Sequence, residues 1–453
     1  MSTNPYLRDS IPRTFLKTAL PIILLTSVNG LLTVVDAIFL GAFVGPDALT
    51  AVTLMFPISM LLVALATTVS TGMTSVLARH IGAGQFDDAR RVFAGAHGLS
   101  LTISIILMAL FAAFGWPLIM QIAGGSQALA EMGHLFLSIS IYTTPIGFLL
   151  ILQSDALRSE GRVGFMAITG LLVSLANMAF NYGFIVWAGL GVAGSALGTA
   201  LAQVLVMLAI LIYRAAGKAR LNLALADARQ GMNGWGRILA LGAPRSLSFL
   251  GIALGSAAVI TALRVTGVEH YDSSIAAYGV ITRIMTFAFF PLLGMSLALQ
   301  AMVGNNFGAG QWARSNASLK LALVVALSYS ALVETGLMFF RNELGGLFVA
   351  DPAVRGEVAR ILPIYVACYF SFGPMMMIAS YFQAIGDAKR SAILSLARTY
   401  LFAIPLTFAL PLVLGDSGIW LAAPIADVLV LLVTGAMLAG QSRTMSWGLF
   451  KPA

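Results

Sequence analysis

The sequence predicts an all-α membrane protein of twelve transmembrane helices in two pseudo-symmetric six-helix lobes. Three observations predict it. Only 10% of the 453 residues are charged and 59% are hydrophobic, whereas soluble domains carry about 25% charge. No soluble core of this length hides so much apolar surface. The chain also breaks into twelve apolar stretches, each long enough for the ~20 residues that cross ~30 Å of hydrocarbon. Finally, Gly82-Ala83-Gly84-Gln85 recurs as Gly308-Ala309-Gly310-Gln311.

In order, the spans are expected at 15–42, 51–78, 93–119, 132–156, 163–187, 193–213, 238–264, 276–304, 317–340, 357–384, 392–414 and 420–440. In lipid they must be helices, because every backbone polar group needs a partner within the chain. Three weaker echoes accompany the glycine motif. Ala19-Leu20-Pro21 resembles Gly242-Ala243-Pro244, Gly161 before Arg162 resembles Gly386 before Asp387, and Gly191-Val192 resembles Gly418-Ile419. The offsets are 226, 223, 225 and 227 residues, so the chain is a duplicated half, the internal symmetry of secondary transporters. Six spans per half make the repeats parallel, about an axis along the membrane normal. The expected units are an N-terminal lobe at 1–213, a cytoplasmic linker at 214–237 and a C-terminal lobe at 238–453. The linker is basic and contains Gly217, Gly231, Gly234 and Gly236.

Orientation follows from the cations. With the N-terminus inside, nineteen Lys and Arg residues lie on inner segments, while Arg341 and Arg355 alone lie on outer loops. Both termini are therefore expected in the cytoplasm, and the net charge of +8 is a topological signal. A nucleic-acid surface would need those cations on one soluble face, so nucleic acid is excluded as a partner. The first eight residues lack the basic start and cleavage site of a signal peptide. A lone Cys368 builds neither a disulfide nor a cysteine metal site.

Eleven of the sixteen prolines fall within the expected spans, each able to remove a helix hydrogen bond and permit a kink. Pro21 and Pro244 occupy equivalent places early in the first helix of each half. Such kinks serve either as fixed packing features or as hinges.

The sharpest chemical feature is Asp36, within Thr33-Val34-Val35-Asp36-Ala37-Ile38. A carboxylate inside a membrane costs about 2.5–3.5 kcal/mol on insertion scales, so it usually faces a cavity and marks an ion or proton path. Its charge state is set by burial and by whether a cation or donors stand beside it. Asn29 and Thr33 precede it on the same helical face. Asn177 and Asn181, at i and i+4, share one face of the fifth span, and Thr199 in the sixth adds a hydroxyl. One carboxylate with amide and hydroxyl oxygens suits a hard cation such as Na⁺, or a protonated carboxyl held by donors. The second half has no acid equivalent to Asp36, since an offset of 223 lands on Val259. It carries Arg283, Glu334, Arg398 and Asp427 instead. Arg283, Glu334 and Asp427 lie at similar depth and are expected to pair, either structurally or as a cation-attracting cavity wall. The glycine turns are not phosphate cradles, because no Lys-Ser/Thr follows them.

These features resemble the multidrug and toxic compound extrusion (MATE) family, over nearly the whole chain. The resemblance is carried by Ala19-Leu20-Pro21, Val35-Asp36 with Gly41 behind it, Ala48-Leu49-Thr50-Ala51-Val52 and both Gly-Ala-Gly turns. Val303-Gly304-Asn305-Asn306-Phe307-Gly308 and Phe382-Gln383-Ala384-Ile385-Gly386 belong as well. It implies a V-shaped pair of six-helix lobes around a cavity that alternates between the two sides. It also implies a non-enzymatic antiporter that exports amphipathic, often cationic, organic compounds in exchange for H⁺ or Na⁺. A bacterial inner-membrane location, a monomer and no cofactor beyond the coupling ion are implied too. Residue by residue, Asp36 matches the family's first-helix acid, Asn177 and Thr199 match oxygen donors around it, and Pro21 matches the site of first-helix bending. Asn181 stands where many members have Asp. The acids that some bacterial members carry in helices seven and ten are absent from 244–264 and 363–384, which leaves coupling to Asp36.

Two alternatives make different demands. A lipid or lipid-linked-sugar flippase needs a strongly cationic lining to hold phosphate. A receptor or scaffold needs a signalling domain or long tail.

Overall fold

The structure is a computed structural model that describes residues 4–221, 234–267 and 270–441. The side chains of residues 31–34, 37, 38, 440 and 441 lie outside that description. The expectation for Thr33 therefore falls outside the described side chains, and the middle of the expected linker falls outside the described residues.

Among the described residues the fold is helical, without a strand. The first half comprises α1 (Ile11–Phe39), α2 (Pro46–Gly82), α3 (Phe86–Ile122), α4 (Gln127–Tyr142 with Thr144–Ser159), α5 (Val163–Tyr182) and α6 (Gly191–Ala215). The second comprises α7 (Trp235–Val265), α8 (Tyr271–Gly308), α9 (Trp312–Phe339), α10 (Pro352–Tyr365 with Tyr369–Ile385), α11 (Ala388–Leu396, continuing to Leu414) and α12 (Asp416–Gln441). Ten are long and apolar enough to span a membrane alone. The two broken ones, α4 and α10, bend by 49° and 52° and bring the total to 12. They hold equivalent places in the two halves. Large apolar side chains such as Ile105, Phe114 and Leu332 are exposed, as expected where the solvent is hydrocarbon.

The duplicated motifs fold alike. Gly84 and Gly310 take φ of 73° and 71°. Gln85 and Gln311 then donate back to the carbonyls of His80 and Asn306, each at 2.9 Å. Gly161 and Gly386 do the same at φ of 80° and 89°. A left-handed residue closing a helix favours glycine because a Cβ would crowd the carbonyl. The prolines divide between two roles. Pro21, Pro244, Pro291 and Pro374 lie inside helices and Pro405 and Pro411 interrupt α11, whereas Pro145 opens the second arm of α4, where no N–H is needed.

The chain groups into two compact units, Met1–Arg8 with Leu20–Gly242, and Asp9–Ala19 with Ala243–Ala453. The divisions fall at Ala19/Leu20 and Gly242/Ala243, each just ahead of an equivalent proline. Within the first unit, the start of α7 lies directly on α2. A Cβ at Gly242 would come within 1.7 Å of the Thr68 carbonyl oxygen, and one at Gly72 within 1.9 Å of that of Ile238. Small residues permit this backbone contact, which drives helix association in lipid. Val69, Met73, Leu77, Phe93, Leu152 and Ile238 form the adjoining core.

Candidate functional site

In the first unit, α1, α5 and α6 bring the expected residues into one hydrogen-bonded chain. Asn181 Nδ2 donates to Asp36 Oδ1 at 2.9 Å and, more weakly, to Asn177 Oδ1 at 3.4 Å. Asn177 Nδ2 donates to Thr199 Oγ1 at 2.8 Å, and Thr199 Oγ1 donates to the Ser195 carbonyl at 3.1 Å. The i, i+4 spacing on α5 places both amides on one face, as the sequence requires. Asn181 is wholly buried and Asn177 nearly so; Asp36 is half-buried. Among the described residues, no basic side chain forms a salt bridge with Asp36. Its described partner is therefore a neutral donor.

Asn29 is exposed on α1 and ties that helix to α5, where Ser174 Oγ donates to its Oδ1 at 2.8 Å. Pro21 lies inside α1.

Sequence reasoning missed Gly198. A Cβ there would lie 2.0 Å from Asn181 Oδ1, so glycine is what lets α6 close over that amide. The readable signal was Gly194-x-x-x-Gly198, a small-residue helix-contact motif. It missed Asp155 as well, an acid inside the fourth expected span. Ser70 Oγ donates to Asp155, which also pairs with Arg158 at 2.9 Å. Nearby, the fully buried Glu160 carboxylate takes Arg214 Nη1 at 2.8 Å and the Arg220 backbone N–H at 2.6 Å. Arg158 and Arg214, read from sequence only as topological cations, are thus buried partners of acids.

The pairing expected in the second unit is corrected. Asp427 pairs with Arg398, through Nε at 2.5 Å and Nη2 at 3.1 Å. Glu334 accepts the Phe370 backbone N–H at 2.7 Å, capping the second arm of α10. Arg283 is exposed and forms no ion pair among the described residues. The physical reason is local. Arg398 stands in a π-helical stretch, Ala397–Ala403, whose wider turn shifts side-chain register. Its planar fork matches a carboxylate with two parallel bonds. The second unit also contains a partly open cavity of about 130 Å³ that Arg245 and Arg398 line.

A group of oxygens around one point suits Na⁺. Asp36, Asn181, Asn177 and Thr199 carry such oxygens and are joined in a chain of hydrogen bonds, with an amide N–H meeting the carboxylate. The described residues contain no cluster of three or more His, Cys, Asp or Glu side chains for a metal.

The MatE family model matches residues 21–183 and 249–409, once in each half. A FAD transporter of Shewanella oneidensis is 26% identical over 401 residues, 87% of either chain. A probable multidrug resistance protein of Bacillus subtilis is 22% identical over 439 residues, 94% of this chain and 93% of the other. An outward-facing structure of a multidrug resistance MATE family transporter of the MOP superfamily superposes with a TM-score of 0.87 at 24% identity. It covers 100% of this chain and 99% of its own. That likeness establishes the shared fold.

Proposed function

Because this chain belongs to the MatE family of multidrug efflux transporters, we propose that it is a proton-coupled antiporter of small amphipathic organic compounds. It is a multi-span membrane transporter and not an enzyme. The finer reading places it in a bacterial inner membrane as a monomer, with both termini cytoplasmic and no cofactor beyond the coupling ion.

One observation carries the reading. Asp36 is half-buried in a membrane helix and touches a neutral amide donor, without a basic partner among the described residues. A carboxyl in that setting exchanges a proton at the cost of one neighbouring hydrogen bond. The N–H that Asn181 donates to Asp36 supports H⁺ over Na⁺, since a hard cation is held by oxygens and not by N–H donors. Proton and cargo must favour different states, or compete for Asp36, because equal affinity for two conformations shifts nothing. One charge falling through 100 mV supplies about 2.3 kcal/mol, enough for roughly fiftyfold accumulation.

Ethidium efflux from proteoliposomes tests this, with a pH gradient or a Na⁺ gradient imposed separately. The pH gradient is expected to drive efflux through the wild type and not through Asp36→Asn, which should insert normally. Efflux driven by Na⁺ alone would exchange the coupling ion, and wild-type efflux by Asp36→Asn would remove the reading. Asn177→Ala and Asn181→Ala should weaken ion dependence more than drug affinity, whereas equal loss of both would assign the amides to packing.

A further inference from the structure

The two bent helices reach nearly the same angle, 49° and 52°, by different means. In α4 the second arm opens with Thr144 and Pro145. Proline has no N–H for the carbonyl four residues back, at Ile141, so the ring itself keeps this helix from closing. In α10 the second arm opens with Tyr369 and Phe370. Positions 145 and 370 stand 225 residues apart, within the offsets of the duplicated motifs. Pro363 and Pro374 lie within the two arms of α10 and not at the break. Phe370 therefore keeps an N–H where the first unit has none, and an unpaired amide in a membrane span is costly.

The amides around the break divide as follows. Cys368 stands at the cap of the second arm, and its side chain accepts nothing. Tyr369 N–H donates to the Val366 carbonyl at 2.9 Å and Ser371 N–H to the Cys368 carbonyl at 3.1 Å. In a straight helix Phe370 would donate to Val366, four residues back, but Tyr369 holds that carbonyl. Glu334 supplies the acceptor from α9, with Oε2 at 2.7 Å from the Phe370 nitrogen. A carboxylate there also meets the positive end of the arm's dipole. The residue 225 places before Glu334 is Ala109. Acid and N–H thus occur together in one half, and both are missing from the other. The arm they hold carries Phe372, Met375, Met376, Ser380 and Gln383 into the lining of the cavity, to which Glu334 itself does not belong. Tyr369 Oη donates to the Ala288 carbonyl of α8 at 3.1 Å, so this end of the arm has a fulcrum.

We propose that Glu334 is a positioning residue for the cavity: by accepting the Phe370 N–H it does for α10 what Pro145 does for α4, holds the second arm at its bend and so sets the cavity wall. The bend of the first unit is fixed by covalent structure, and that of the second by a bond that can be lost. Without the acceptor, the Phe370 N–H turns to the Val366 carbonyl and the helix closes toward a straight rod. That this wall meets cargo rests on the transporter reading above; that Glu334 holds the bend does not.

The test measures the bend directly, in the full chain in lipid nanodiscs. Nitroxide labels are placed on Ala353→Cys and Lys389→Cys, exposed sites at the two ends of α10, with the native thiol removed by Cys368→Ala. Pulsed electron paramagnetic resonance reads the distance between them. Glu334→Leu is expected to lengthen it by several ångström as a 52° bend opens. Glu334→Gln keeps an accepting carbonyl and is expected to stay at the parent distance. Phe370→Pro added to Glu334→Leu removes the orphan donor and should restore the bend, as the first unit is built. The Phe370 side chain is 41% exposed and does not line the cavity, so its loss leaves the wall intact. A parent distance in Glu334→Leu, a long distance in Glu334→Gln, or no rescue by Phe370→Pro would each overturn the proposal. In proteoliposomes, Glu334→Leu should raise the KM for ethidium severalfold with kcat unchanged, a loss of binding alone, and Phe370→Pro should reverse it. An unchanged KM in the straightened variant would overturn the positioning role. A parent protein that moves no ethidium would count against the transporter reading and leave the distances to decide the bend.

Discussion

The two units share a scaffold and differ in chemistry. Equivalent helices break at equivalent places, 49° in α4 and 52° in α10. Equivalent glycines close equivalent turns, with φ near 70° at both Gly84 and Gly310. The interiors diverge. The first unit holds a carboxylate on a line of neutral amides, and the second a carboxylate locked to a guanidinium beside an arginine-lined cavity. After duplication, backbone conformation tolerates few residues at a turn, whereas an interior polar side chain can change with its neighbours.

The comparison breaks most sharply at the two acids. Asp36→Asn is expected to abolish proton-driven efflux with normal insertion and melting. Asp427→Ala is expected to do the reverse, since it strands the partly buried Arg398 charge. Removing one partner of a fully buried pair costs about 3–5 kcal/mol; with Arg398 partly exposed that figure is the ceiling, read as a lower melting temperature in detergent, while proton dependence persists. Loss of coupling in Asp427→Ala at unchanged stability would erase the contrast.

Gly198→Ala should cost about 1–3 kcal/mol through overpacking and weaken coupling, because the new methyl displaces the Asn181 amide. Normal efflux by that variant would show that the amide position does not matter. The smallest effect tests the shared scaffold. Gly84→Ala and Gly310→Ala should each cost about 1–2 kcal/mol from the left-handed backbone, and by similar amounts. Thermal shifts that differ severalfold would mean the turns are not equivalent.

Much of the fold was legible because lipid leaves few options. Apolar length gave the spans, and fixed offsets between glycine motifs gave the duplication. Asp36, Asn177, Asn181 and Thr199 were legible because polar groups are rare in those helices and helical spacing puts them on one face. Gly198 was harder, since its role is an absence of volume that only the facing amide reveals. The partner of Asp427 was misjudged because depth in the membrane says nothing about azimuth. Arg398 reaches it from a π-helical stretch that shifts the ordinary 3.6-residue register. Glu160 and Arg214 lie far apart in sequence, and charge counting hid their bond.

The carbonyl oxygen of the Asn181 side chain is buried and accepts nothing among the described residues, while its nitrogen donates both ways. Once Asp36 carries a hydrogen, that idle acceptor becomes its natural mate, and a half-turn of a single amide would bring them together. The same half-turn would withdraw the donor from Asn177, so on the proton-coupled reading proposed above, loading at one helix would be felt at the next without any backbone having to stir.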